Sequence, residues 1–186
     1  AAVNNALAKA AINKCNGAEL ALHLSKDGHP VVHHNPRLNW AYTQTPQGQW
    51  LTPTDNYPLN QLTLAELQQF KLGTPNPASD YQQRYPLLQP TASYLPSLQE
   101  VIQLVKSAKK TNKQLDFKLV LEIKPLAKED WQPLVTATLK LLAAENFTNF
   151  AFCSFNWQAL VFAQQQQASF QNKLKTCSKI ATWFTS

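Results

Sequence analysis

Methionine is absent from the sequence, and glycine is scarce, with four in 186 residues. A newly made chain starts with Met, so residue 1 is not expected to be a retained translation start, and the sequence reads as a processed or partial one. Cysteine is nearly as rare: Cys15, Cys153 and Cys177 are the three. None has CxxC spacing, which excludes the usual zinc and thiol-redox motifs, and an odd, sparse set does not make a disulfide framework. No apolar run approaches the roughly 18 residues that a membrane-spanning helix needs. Charged residues make up 15% and hydrophobic ones 44%, the balance of a globular domain with a sizeable core.

The charge that is present leans positive, with 17 Lys and Arg against 11 Asp and Glu, a net +6. Such a field gathers anionic substrates. The densest basic stretch, residues 106–113, carries Lys106, Lys109, Lys110 and Lys113 without interleaved aromatics. It reads as the polar end of a helix and argues against a nucleic-acid partner.

Hydrophobic periodicity orders the chain. Residues 1–14 repeat at helical spacing through Ala2, Val3, Ala6, Leu7, Ala10 and Ala11. Residues 18–24 alternate: Leu20, Leu22 and Leu24 share one strand face, and Glu19, Ala21 and His23 the other. A turn at 25–28 leads to a short strand at 31–34, with Val32 and His34 on one face. Residues 35–62 are polar, rich in Pro, Gln and Asn, and read as a long loop, functional or disordered. Thr63-x-x-Glu66 is a capping box that opens a helix, and Gly73 suits its end. Residues 74–96 read as loop again, and Ser97-x-x-Glu100 caps the next helix. Residues 118–124 alternate, with Leu119, Leu121 and Ile123 opposite Val120, Glu122 and Lys124. A helix at 129–144, a strand at 150–155, a helix at 157–171 with an exposed face at Gln164–Gln167, and a strand at 180–184 complete the pattern. Strands alternating with helices predict a parallel sheet with crossover helices.

Glu19, His34, Glu122 and Lys124 fall at or near the C-terminal ends of three strands, where an α/β barrel carries its chemistry. Carboxylates bind hard cations, a lysine places positive charge beside a phosphate, and a histidine moves a proton to or from a leaving alcohol. Taken singly, each has a plainer reading: a half-exposed Glu, a surface His, and an ion pair between Glu122 and Lys124.

Taken in order, the motifs resemble a known family. Glu19-Leu20-Ala21-Leu22-His23-Leu24-Ser25-Lys26-Asp27-Gly28, followed by Val31-Val32-His33-His34-Asn35-Pro36, is similar to the E-L-D-V-x-L-T-K-D-G and V-V-x-H-D-P pattern of glycerophosphodiester phosphodiesterases. Leu62–Leu67, Leu95–Val101, Leu121-Glu122-Ile123-Lys124 and Ser154-Phe155-Asn156-Trp157 follow in family order. The resemblance implies a TIM-type (β/α)8 barrel, here incomplete, with about five or six strands. It lacks the first strand, with its H-R-G histidine, and the last ones. It implies hydrolysis of a small-molecule glycerophosphodiester to glycerol 3-phosphate and an alcohol, with a divalent cation, Ca or Mg, as cofactor. By motif match, Glu19 and Glu122 are the expected metal ligands, His34 a catalytic histidine, and Lys124 the substrate-binding residue at the phosphate. Residues 73–90 resemble an insertion above the site in members that are often exported, which favours the periplasm over the cytoplasm; the oligomeric state stays open.

Two positions depart from the pattern. Ala21 stands where the family has a metal-ligand Asp, and Asn35 stands where it has Asp. His23, on the same strand face, is the conceivable substitute for the lost ligand, though it lies one pleat repeat, roughly 6.5 Å, farther along. The departures leave two expectations: a phosphoric diester hydrolase, or a catalytically impaired member of the same fold acting as a binding protein.

Overall fold

The computed structural model describes residues 15–124 and 131–170. The expected helix at 1–14, the expected strand at 180–184 and Cys177 lie outside the described residues. In chain order the elements are β1 (Gly17–Leu24), β2 (Pro30–Val32), β3 (Thr43–Gln44), α1 (Leu64–Leu67), β4 (Lys71–Leu72), α2 (Tyr81–Arg84), α3 (Leu98–Thr111), β5 (Lys118–Ile123), α4 (Trp131–Ala144), β6 (Phe150–Cys153) and α5 (Trp157–Phe170). Short 3-10 turns lie at Trp40–Tyr42 and Leu59–Gln61.

The main sheet has the order β2-β1-β5-β6. β1, β5 and β6 are parallel, as the alternation with helices predicts. β2 runs antiparallel to β1. The reason is the length of the connection: the turn at 25–29 is a hairpin, too short for the crossover that a parallel pair requires. Gly28 makes that turn at φ +82°, a conformation open to glycine at little cost.

Period-two alternation decides the two faces of the sheet. Leu20, Leu22, Leu119, Leu121, Ile123, Phe150 and Phe152 are buried together with apolar residues of α3, α4 and α5. The opposite face carries Glu19, Ala21, His23, Glu122 and Cys153. Val32 packs with the helix-side core while Val31 faces the other way. His34 therefore does not share a strand face with Val32 in the expected sense. β2 stops at Val32, the chain bends at 34–36, and that bend, not the strand period, aims His34.

The long excursion between β2 and α3 is ordered by a second core. Val31, Leu38, Leu51, Leu59, Leu67, Phe70, Leu72 and Leu95 are buried there. The capping box at Thr63 forms as expected, and Leu62 and Leu67 both join this core. The helix it starts lasts only one turn, because the chain needs Lys71–Leu72 extended to pair with Thr43–Gln44. Gly73 consequently follows a strand instead of ending a helix. It sits at φ +92°, where a Cβ would overlap the Thr91 carbonyl oxygen. Buried Asn76 ties the excursion together. Its Nδ2 donates to the carbonyls of Trp40 and Leu51, each at 3.1 Å, and its Oδ1 accepts from the N–H of Ala78 at 3.0 Å. The base of the excursion is closed where Val32 N–H donates to the Pro96 carbonyl at 2.9 Å.

The Ser97 capping box then starts α3, whose last turn carries Lys109 and Lys110, as the basic stretch predicts. Lys106 instead reaches across to Glu145, at 3.0 Å. In α5, Gln164 and Gln165 are exposed, but Gln167 is buried on the same helical face as Ala163, four residues earlier, so the four glutamines do not form one exposed face.

Asn76→Ala removes two side-chain donors from buried carbonyls. It is expected to lower stability by roughly 2–3 kcal/mol, read as a lower urea midpoint at unchanged slope.

Candidate functional site

β1 and β5 pair so that Glu19 lies opposite Val120, and Ala21 opposite Glu122. β5 and β6 pair Glu122 with Cys153. The polar face near the C-terminal strand ends is thus a row of methyl, carboxylate and thiol, with Glu19 one pleat repeat before Ala21. Glu122 is buried, and its Oε2 lies 3.4 Å from Lys124 Nζ. The same ammonium lies 3.2 Å from His34 Nε2. Three of the four residues singled out in the sequence therefore touch in one chain, Glu122–Lys124–His34, although His34 comes from a separate strand connection.

Glu19 is exposed, on the same face, and has no hydrogen bond or ion pair among the described residues. Its closeness shows in Cys153. Burial first, and then the charges of Glu19 and Glu122, push that thiol up to about 11. Cys153 therefore stays a neutral thiol at neutral pH. Its place at the end of a strand beside Glu122 was readable once the register was known, but nothing in its sequence neighbourhood marks it.

Asn35 supplies an acceptor. Its Oδ1 lies 2.8 Å from His34 Nδ1. With the Nδ1 proton donated there, the Nε2 lone pair faces the Lys124 ammonium, which donates to it. Ser154 Oγ donates to the Ile123 carbonyl at 2.6 Å and so ties the end of β5, just before Lys124, to the end of β6.

Two further histidines lie behind His34. His23 is buried on the polar face of β1, with Nε2 3.4 Å from the His34 carbonyl oxygen and Nδ1 unpaired. Burial is the main cause that pulls its pKa from 6.5 down to about 4, against that carbonyl contact and helped by the nearby His33, Lys124 and His34. His33 is buried too, with Nε2 unpaired and Nδ1 lying 2.9 Å from the Asn35 carbonyl oxygen and 3.1 Å from the Asn35 backbone nitrogen; burial lowers its pKa, against that carbonyl contact. Among the described residues no three His, Cys, Asp or Glu side chains converge closely enough to hold a metal ion, so His23 does not complete a ligand set with Glu19 and Glu122. No helix among the described residues is long and apolar enough to cross a membrane.

Comparison with known proteins bears on this arrangement. A family model described as the glycerophosphoryl diester phosphodiesterase family matches residues 5–183. None of the curated proteins matches. Among solved structures, one described as a glycerophosphoryl diester phosphodiesterase of Silicibacter pomeroyi is 24% identical, with a TM-score of 0.77, covering 95% of this chain and 56% of its own. An Oleispira antarctica phosphodiesterase, solved in complex with the product sn-glycerol-3-phosphate, is 23% identical with a TM-score of 0.58, covering 96% of this chain and 58% of its own. The glycerophosphoryl diester phosphodiesterase domain of a Mycobacterium tuberculosis protein is 23% identical with a TM-score of 0.57, covering 89% and 51%. The chain thus spans about half the length of the solved structures it matches. The fold is that of the TIM-type barrel class, with four strands of an incomplete barrel sheet among the described residues.

The histidine burial has a consequence for pH. An unfolded His23 binds a proton below about 6.5, and the folded one only below about 4. Stability is therefore fully present above pH 6.5 and is lost as pH falls from 6.5 towards 4. At about 1.4 kcal/mol for each pH unit, the loss is roughly 3 kcal/mol. His23→Gln is expected to flatten this acid limb in urea titrations taken between pH 7 and pH 4.5; an unchanged limb would assign the acid sensitivity to other groups.

Proposed function

The chain belongs to the glycerophosphoryl diester phosphodiesterase family, and from that premise we propose that it carries part of the active site of an enzyme that hydrolyses glycerophosphodiesters to glycerol 3-phosphate and an alcohol. The observation that carries this reading is the contact chain Glu122–Lys124–His34 at the C-terminal ends of the strands, with steps of 3.4 and 3.2 Å. It puts a fixed positive charge and a proton-transfer group within one phosphodiester's reach of each other.

Lys124 binds a non-bridging phosphoryl oxygen and offsets the negative charge that grows there as the phosphorus is attacked. Glu122 holds the ammonium in place. His34 presents Nε2 to the same point, because Asn35 Oδ1 accepts a hydrogen bond from Nδ1–H. Nε2 accepts a proton as water adds to phosphorus and returns one to the departing alkoxide. The phosphorus–oxygen bond to the alcohol breaks, and water supplies the new oxygen on phosphorus and the hydrogen on the alcohol.

Glu19 and Glu122 are the carboxylates that a divalent cation would meet. With Ala21 between β1's carboxylate and β5's in the register, and Glu122 already paired with Lys124, the donors present fall short of a complete ligand set. The steps above run through the chain's own groups. Ala21 also favours a second reading, a member of the fold that binds glycerophosphodiesters without turning them over.

In the full-length gene product, glycerol 3-phosphate release from glycerophosphodiesters is expected. His34→Ala should lower kcat by about 10²–10⁴-fold, and Lys124→Met should lower kcat/KM with a rise in KM. Substrate that binds, seen by calorimetry, but is never cleaved would support the binding protein; release indifferent to His34→Ala would remove the proposed site.

A further inference from the structure

We infer that the positive charge paired with Glu122 in this site is the Lys124 ammonium in place of a tightly held divalent cation, and that Ala21 and Lys124 together keep such a cation out. The inference rests on the reading of the site given above and concerns what occupies it before substrate arrives.

Three observations carry it. Glu122 is buried, and a buried carboxylate without a partner is costly. Its partner is Lys124 Nζ, at 3.4 Å, and that ammonium is also held by His34 Nε2, at 3.2 Å, so it is fixed from two sides. Next to Glu122 in the register stands the Ala21 methyl, which offers no oxygen. Calcium takes six to eight oxygen ligands, and its affinity follows the number and charge of the donors. Here the described donors are Glu19, on the previous pleat, and a Glu122 already neutralised, and no third carboxylate, imidazole or thiol closes the set.

The same geometry says how the exclusion is lifted. A carboxylate at position 21 would lie on the polar face beside Glu122 and one pleat from Glu19, completing three acidic donors. Removing the ammonium would leave Glu122 buried and charged, so that a cation gains what the lysine gave.

The test titrates Mg, Ca and Mn salts into chelator-stripped, desalted protein by calorimetry, using the natural sequence, Ala21→Asp and Lys124→Met, with circular dichroism to check folding. The natural sequence is expected to bind at about 10⁻³ M or weaker, the range of the weakest protein calcium sites, and each variant at least tenfold more tightly. Should Ala21→Asp fail to fold, the comparison with Lys124→Met decides alone. A natural sequence that binds any of the three ions as tightly as the folded variants, or a gain below tenfold in every folded variant, overturns the inference. Such a result leaves the hydrolysis reading standing, because glycerol 3-phosphate release is measured separately; conversely, absence of release does not alter the titration.

Discussion

The parallel pairing of β1 with β5 is the constraint on which the rest depends. One face of each strand is given over to leucine and isoleucine that pack under three helices. A slip of one residue would turn that face to the outside and put Glu19 and Val120 under the helices instead. The apolar face therefore fixes the register, and the register fixes which polar groups stand beside each other. Ala21 meets Glu122, and Glu122 meets Cys153, as a by-product of where the leucines must go. The chemistry of the site is thus set on the side of the sheet that contributes least to holding it together.

Much of this was legible in the sequence, for a definable reason. Leu20, Leu22, Leu119 and Leu121 have period two, and that pattern has one structural meaning. The capping boxes at Thr63 and Ser97 were legible because three residues suffice to encode them. What could not be read depends on partners distant in the chain. The helix opened by Thr63 stops after one turn because Leu72 pairs with Thr43, and no local signal announces that pairing. His34 reaches Lys124 through a bend after a three-residue strand, where alternation no longer applies. Gln167 is buried by its place on α5, although its neighbours in the glutamine run are not.

Residues 35–96 show how far composition can mislead. Apart from the helix opened at Thr63, their Pro, Gln and Asn content reads as loop, yet seven buried apolar residues from Leu38 to Leu95, joined by Val31 just before the stretch, are enough to give the region its own interior. Asn76 answers the carbonyls that such an irregular backbone leaves over. The aromatic rings of Tyr42, Tyr81 and Tyr85 continue from His33 outwards, with centroid spacings of 6.3, 5.0 and 4.8 Å, and link the short helix α2 to the strand end that bears His34.

That second interior also bears on how the molecule forms. Joining β1 to β5 means closing a chain segment of about a hundred residues, and ordering so long a span ahead of its contacts slows folding. The segment between them has a core of its own and is stapled where Val32 meets Pro96, so its two ends lie together. With those ends held together, the stretch through α3 is what separates β1 from β5, so the excursion shortens the loop that the sheet has to close.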